Sequence, residues 1–342
     1  MLCVSSRVAV DFLGLESGQT PCLDDHASRV PEMASRLPFS EEPARGWQPW
    51  GALVPFLGIA FVVATVGSLT SVLQEAGLVD ATEHPIGLVG FVAFLLIPFV
   101  ALGASVLAWV RLVERRPLAA IGLGGARRTR TFVCGVLIGV AMVTAIVTGI
   151  WLAGGFHKVA LGLAFRSPEA LGSIGILLIC FALQSSVEEL LFRGWMLSAI
   201  AAKFGLVLAI LLSSLVFLLL HCDPRANWIF LTNVFLYAVL ACCWAIRTRN
   251  IWGVMGWHTG MNWMFTVGFE LRVTALDAHL PALLVKLTPV GSEYLTGGSH
   301  GPEGSIVCSP VLACGIANFC RRRIMPATLK PDLEGRMEMP EQ

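Results

Sequence analysis

The sequence predicts an all-α, polytopic transmembrane bundle of about eight helices. Three observations predict it. Of 342 residues, 56% are hydrophobic and only 14% are charged, whereas soluble domains carry roughly 25% charged residues. The apolar residues gather in runs close to the ~20 residues that cross a bilayer. Those runs are continuously apolar, whereas barrel strands alternate. The lipid bilayer is therefore an expected partner of most of the chain.

Residues 1–46 hold no long apolar run. The stretch 2–15 is broken by Ser5, Ser6, Arg7 and Asp11, which makes a poor signal peptide. Residues 1–46 read as a polar, disordered cytosolic tail. The expected spans are Trp50–Leu73, Ile86–Val110, Phe132–Leu152, Ala170–Ile200, Phe204–His221, Trp228–Ile246, Ile251–Phe269 and Ser305–Cys320. They divide into N-terminal membrane helices (50–153) and a second group (170–320), followed by a basic, polar cytosolic tail (321–342). The stretch Ala275–Val290 is broken by Asp277, His279, Pro281 and Lys286, and reads as interfacial or re-entrant. The loop Gly297–Gly304 lacks a phosphate-loop lysine and reads as a tight turn back to the membrane.

Lysine and arginine set the orientation. With the N-terminus in the cytosol, 18 of the 24 basic residues fall in inside segments and 5 in outside ones, Arg193 lying within a span. Eight crossings with both ends in the cytosol follow. The clusters at 111–130 and 321–323 are then topology signals, and nucleic-acid binding is not expected. The 10 cysteines form no CxxC pair, and six of them lie in apolar runs as small hydrophobes.

Ionisable side chains within a span are functional candidates by default. The fourth span carries Gln184-Ser185-Ser186-Val187-Glu188-Glu189 and Arg193. Glu189 and Arg193 are four apart and can pair on one face, which leaves Glu188, about 100° round the helix, without a local partner. His221 ends the fifth span. His258 and Asn262, again four apart, share a face of the seventh. In lipid these groups seek one another, because an unsatisfied polar group costs several kcal/mol. A lone carboxylate can act as general base toward water. Histidines and an asparagine amide can orient that water and meet an oxyanion. Glu188, His221 and His258 could instead hold a metal such as zinc, although there is no HExxH. The residues leave metal and metal-free hydrolysis both open, and call for no organic cofactor. Helix counting at about 1.5 Å per residue puts His221 near the outer face and His258 nearer the cytosolic one. The site then requires tilted helices, or fourth and fifth spans that begin deeper.

The three pieces, Glu188-Glu189-x-x-x-Arg193, Phe217-x-x-x-His221 and His258-x-x-x-Asn262, resemble the EExxxR, FxxxH and HxxxN motifs of the CPBP family. These are the CAAX proteases and bacteriocin-processing enzymes, also called Abi, which include the type II CAAX prenyl endopeptidases. The approach Arg247–Trp252 and the pieces Leu295–Gly298 and Gly301–Ser305 are similar to the family as well, so the resemblance covers roughly residues 85–320. It implies a helical intramembrane endopeptidase in which Glu188 activates water with help from His221. His258 and Asn262 would form the oxyanion site, and Glu189 and Arg193 would hold the motif helix. It further implies a peptide or membrane-anchored protein substrate and, from the glycine loop, a bacterial plasma membrane. The alternative is a non-catalytic membrane scaffold or bacteriocin-immunity factor that keeps the fold. A proton-coupled transporter is disfavoured, since no internal repeat is visible.

Overall fold

A computed structural model of the chain describes residues 37–39, 44–224, 226–274, 276–277 and 281–321. The expectations for most of residues 1–46, and for the tail after Arg321, lie outside these residues. Of the N-terminal part that is described, Phe39 is buried in the core and its carbonyl accepts a bond from Arg249.

The architecture is an all-α polytopic bundle. α1 (Gly51–Glu75), α2 (Gly87–Val113) and α3 (Arg128–Leu152) are each long and apolar enough to cross a membrane. The same holds for the 53-residue run Pro168–Leu220. Gly205, at φ 80° and ψ 169°, breaks this run into α4 (168–204) and α5 (206–220). That region of backbone space is open essentially only to glycine, so one residue folds the run back as a helical hairpin. α6 (Trp228–Thr248) is a further candidate span. α7 (Trp252–Trp263) continues into a π-helical turn, Met264–Gly268, and α8 (Cys308–Arg321) is short.

The bundle is apolar outside as well as inside. Leu152 and Val207 are 76% and 74% exposed, with Phe56, Val89 and Ile179 close behind. Arg193, Glu189 and Asn233 are buried. Apolar surface on this scale needs lipid, and the chain is an integral membrane protein.

α7 lies between α3 and α4, and every residue from Gly253 to Asn262 is buried. Its fit to α3 depends on two facing small-residue pairs, Gly135/Gly139 and Gly256/Gly260. A Cβ on Gly256 would stand 2.0 Å from the Phe132 carbonyl oxygen, and one on Gly260 would stand 2.3 Å from that of Val136. The two backbones therefore touch, as at GxxxG crossings in membranes. The i, i+4 spacing of each glycine pair is the sequence signal for this contact.

Two expectations gain detail. The end of Ala275–Val290, expected to be interfacial or re-entrant, forms β2 (Val285–Pro289), antiparallel to β1 (Phe156–Leu161). Arg116 is more than a topology charge. It is buried and bonds Glu114 (3.1 Å), Ser198 (2.8 Å) and the Ala120 carbonyl (3.0 Å). The other Glu114 oxygen accepts from the indoles of Trp109 (2.9 Å) and Trp195 (2.8 Å). This satisfied network ties the foot of α4 to the α2–α3 connection.

Candidate active site

The α4–α5 hairpin sets the level of the site. Glu188 lies 17 residues before Gly205 and His221 lies 16 after it. Both thus stand about 25 Å from the turn at 1.5 Å per residue. α7 starts well above that turn. Ile251 packs on Gly194, and its N–H bonds the Gly122 carbonyl (3.0 Å). His258, seven residues further on, reaches the level of Glu188. The mismatch expected from equal helix ends disappears because α7 begins deep, on a floor built by the α2–α3 connection.

α7 divides its duties by face. Gly256 and Gly260 meet α3, so His258, about 200° round from each, faces α4. There it links the two acidic neighbours. Its Nδ1 lies 2.9 Å from Glu189 Oε1, and its Nε2 lies 3.8 Å from Glu188 Oε2. Glu189 Oε1 also accepts from Arg193 Nη1 (3.1 Å). The guanidinium in turn lies 4.4 Å over the Phe217 ring. The other side of the motif now makes sense: Phe217 also stacks on His221, with ring centroids 4.3 Å apart.

Glu188 has a local partner after all. Gln184, one turn before it, donates to Glu188 Oε1 (2.7 Å) and accepts from Asn262 Nδ2 (3.3 Å). The i, i+4 spacing of 184 and 188 was the signal for this residue. Glu188 Oε2 stays turned toward His258, beyond direct hydrogen-bond range. His221 Nδ1 lies 2.8 Å from the Phe217 carbonyl. A carbonyl only accepts, so Nδ1 carries the proton and Nε2 is left as an acceptor. His258, with Nδ1–H given to Glu189, offers a lone pair at Nε2 when neutral and a donor only when charged.

Glu188, Gln184, His221, His258 and Asn262 line one cavity of about 370 Å³. One wall is apolar, with Val62 and Val66 of α1 and Phe94 and Phe99 of α2. The other end is polar, with Glu83, His84, Asp223 and His300. All four expected catalytic residues thus share a cavity, with Glu189 and Arg193 buried behind it.

The donor chemistry of Glu188, His221 and His258 is that of a zinc site, and each ring has its Nδ1 bound in the way metal-ligating histidines do. The spacing does not fit. Among the described residues no three His, Cys, Asp or Glu groups converge closely enough to hold an ion, so no step is routed through a metal.

Glu303 was not expected at the site. Its loop, Gly298–Gly304, is pinned by Asn233, whose amide donates to the carbonyls of Glu303 (2.7 Å) and Ser305 (2.9 Å). Glu303 Oε2 accepts from the Thr274 N–H (2.9 Å) and hydroxyl (3.2 Å). Burial holds this carboxyl above the usual carboxylate range, against the pull of those two bonds and of nearby His258. A carboxylate in a glycine loop gives no periodic signal, which is why the sequence did not single it out.

Comparison with curated proteins found no match. Comparison with family models found one: residues 170–264 match the type II CAAX prenyl endopeptidase Rce1-like family. The matched segment runs from the start of α4 to the end of α7 and contains every residue of the three motifs. Residues 170–264 thus match the domain of the Rce1-like type II CAAX prenyl endopeptidases, a protease family.

Proposed function

We propose that the protein is an intramembrane endopeptidase that cleaves membrane-associated peptides with a water activated by Glu188. The observation that carries this reading is the pair of acceptors, Glu188 Oε2 and His221 Nε2, lining one cavity beside the donors of Asn262 and His258. A water there donates one hydrogen to each acceptor. Glu188 removes a proton as the water oxygen attacks the scissile carbonyl carbon. The oxyanion meets the Asn262 N–H not used by Gln184, and the Nε2–H of a charged His258. Glu188 then returns the proton to the departing amine as the C–N bond breaks. The apolar wall from α1 and α2 suits the lipid-embedded part of a membrane-anchored substrate.

The test compares membrane peptides from cells carrying the intact protein with those from a Glu188→Gln strain. Purified protein in liposomes is assayed in parallel on a fluorescent farnesylated peptide ending in a CAAX sequence. Glu188→Gln should lower cleavage by about 10²–10⁴-fold while the protein still accumulates. Normal processing by that variant would end the hydrolase reading in favour of a scaffold or immunity factor. Activity that survives complete metal chelation supports the metal-free mechanism; activity lost on chelation and restored by zinc replaces it.

A further inference from the structure

A second, smaller chamber of about 40 Å³ lies against the same His221, His258 and Asn262. Its other polar walls are Asn233, Tyr237, Thr274 and Glu303. We propose that this chamber is the water station of the hydrolytic site, in which Tyr237 and Glu303 hold the water that next passes between the two imidazoles to Glu188. The inference rests on the hydrolase reading above.

Four observations support it. The volume is that of one or two waters, and a buried water needs two to four polar partners, which this chamber supplies. The Tyr237 hydroxyl is buried and has no hydrogen-bond partner among the described residues, although Tyr237 is only 8% exposed. A buried phenol normally finds a partner. Its ring is fixed by stacking on Trp257 at 4.4 Å and by the edge of His258 at 5.2 Å, so the hydroxyl cannot swing away to another group. Glu303, lastly, lines the chamber with its carboxyl held by the two bonds from Thr274 to Oε2.

Geometry also supplies a reason for such a station. The large cavity is where a peptide must lie to bring its carbonyl to Glu188. A bound substrate then displaces water from that side. Each turnover consumes one water in a site walled by lipid-facing helices. A reserve behind the imidazoles lets hydrolysis proceed with the substrate in place.

The test uses the full-length protein in lipid nanodiscs, imaged at a resolution that shows ordered water. The expected result is water within hydrogen-bond distance of Tyr237 Oη and of the Glu303 carboxyl, lost or displaced in Tyr237→Phe. On the farnesylated peptide, Tyr237→Phe and Glu303→Gln should each lower kcat by about 3- to 10-fold, the worth of one hydrogen bond. KM should not change. A structural role would instead lower the folded yield or raise KM. A chamber that is dry in the intact protein overturns the inference, as does full turnover in both variants while Glu188→Gln is inactive. Should Glu188→Gln itself cleave normally, the hydrolase reading fails first, and the two failures are told apart.

Discussion

Two adjacent glutamates carry opposite duties, and their surroundings say which is which. Glu189 is fully buried, bonded to Arg193 and to His258 Nδ1. Among the described residues it is the only ion-pair partner of Arg193. Glu188 is turned into the cavity and, among the described residues, is hydrogen-bonded only to the neutral amide of Gln184. Breaking a buried ion pair by removing one charge costs about 3–5 kcal/mol, whereas a glutamine at 188 can still accept from Gln184. Thermal unfolding in detergent should therefore show Glu189→Gln strongly destabilised and Glu188→Gln close to the parent. Equal stability of the two variants would contradict this division. The sequence already paired Glu189 with Arg193 by spacing. The Gln184 contact did not stand out because Gln184 sits in a largely polar run, Gln184 to Glu189, in which spacing alone does not single out a partner. The Glu189–His258 contact joins residues 69 apart in the chain, and no local spacing reveals it.

At the scale of elements, α7 depends on glycine to bring chemistry close to α4. With Gly135 and Gly139 against Gly256 and Gly260, the α3 and α7 backbones are in contact, and His258 projects from the opposite face. Gly256→Ala places a methyl 2.0 Å from the Phe132 carbonyl oxygen, and only a shift of backbone relieves that. The expected loss is about 1–3 kcal/mol, typical of overpacking, with reduced cleavage because the displaced helix carries His258 and Asn262. Gly175→Ala in α4 is the control, since nothing lies within 4 Å of a Cβ there. It should be neutral or stabilising by up to about 1 kcal/mol. Melting temperatures of the two variants check this, and equal effects would remove the close approach as a determinant. Most helix ends were legible as apolar runs. The break at Gly205 was legible as the boundary between the fourth and fifth spans, marked by Lys203, whereas its tightness, a turn made at one residue, was not. The short strands β1 and β2 were not legible. Each is held by its partner more than 120 residues away, and neither has enough length to declare a period.

For the whole molecule, the backbone sorts the connections into two ends, and charge predicts which compartment each faces. Gly46 bonds Glu114, and Ile251 bonds Gly122; Gly51 packs on Phe204, and Arg249 reaches Phe39. The N-terminal approach, the α2–α3 connection, the Gly205 turn and the α6–α7 corner thus share one end. At the other end β1 pairs with β2, and His300 pairs with Asp223 (3.3 Å). Arg111, Arg115, Arg127, Arg128, Arg130, Lys203 and Arg247 belong to the first end. The second has Lys158, Arg166, Arg272 and Lys286. By the preference for basic residues inside, the first end is predicted to face the cytosol. The polar mouth of the large cavity, with Glu83, His84, Asp223 and His300, then opens away from it. An impermeant thiol reagent applied to intact cells should label Lys158→Cys above the background of the parent protein and leave Arg127→Cys unlabelled until the membrane is opened. The reverse pattern would turn the mouth toward the cytosol. The result bears directly on substrate. A mouth on the outer side admits exported or lipid-embedded peptides, whereas a cytosolic mouth is what a protein prenylated in the cytosol would require.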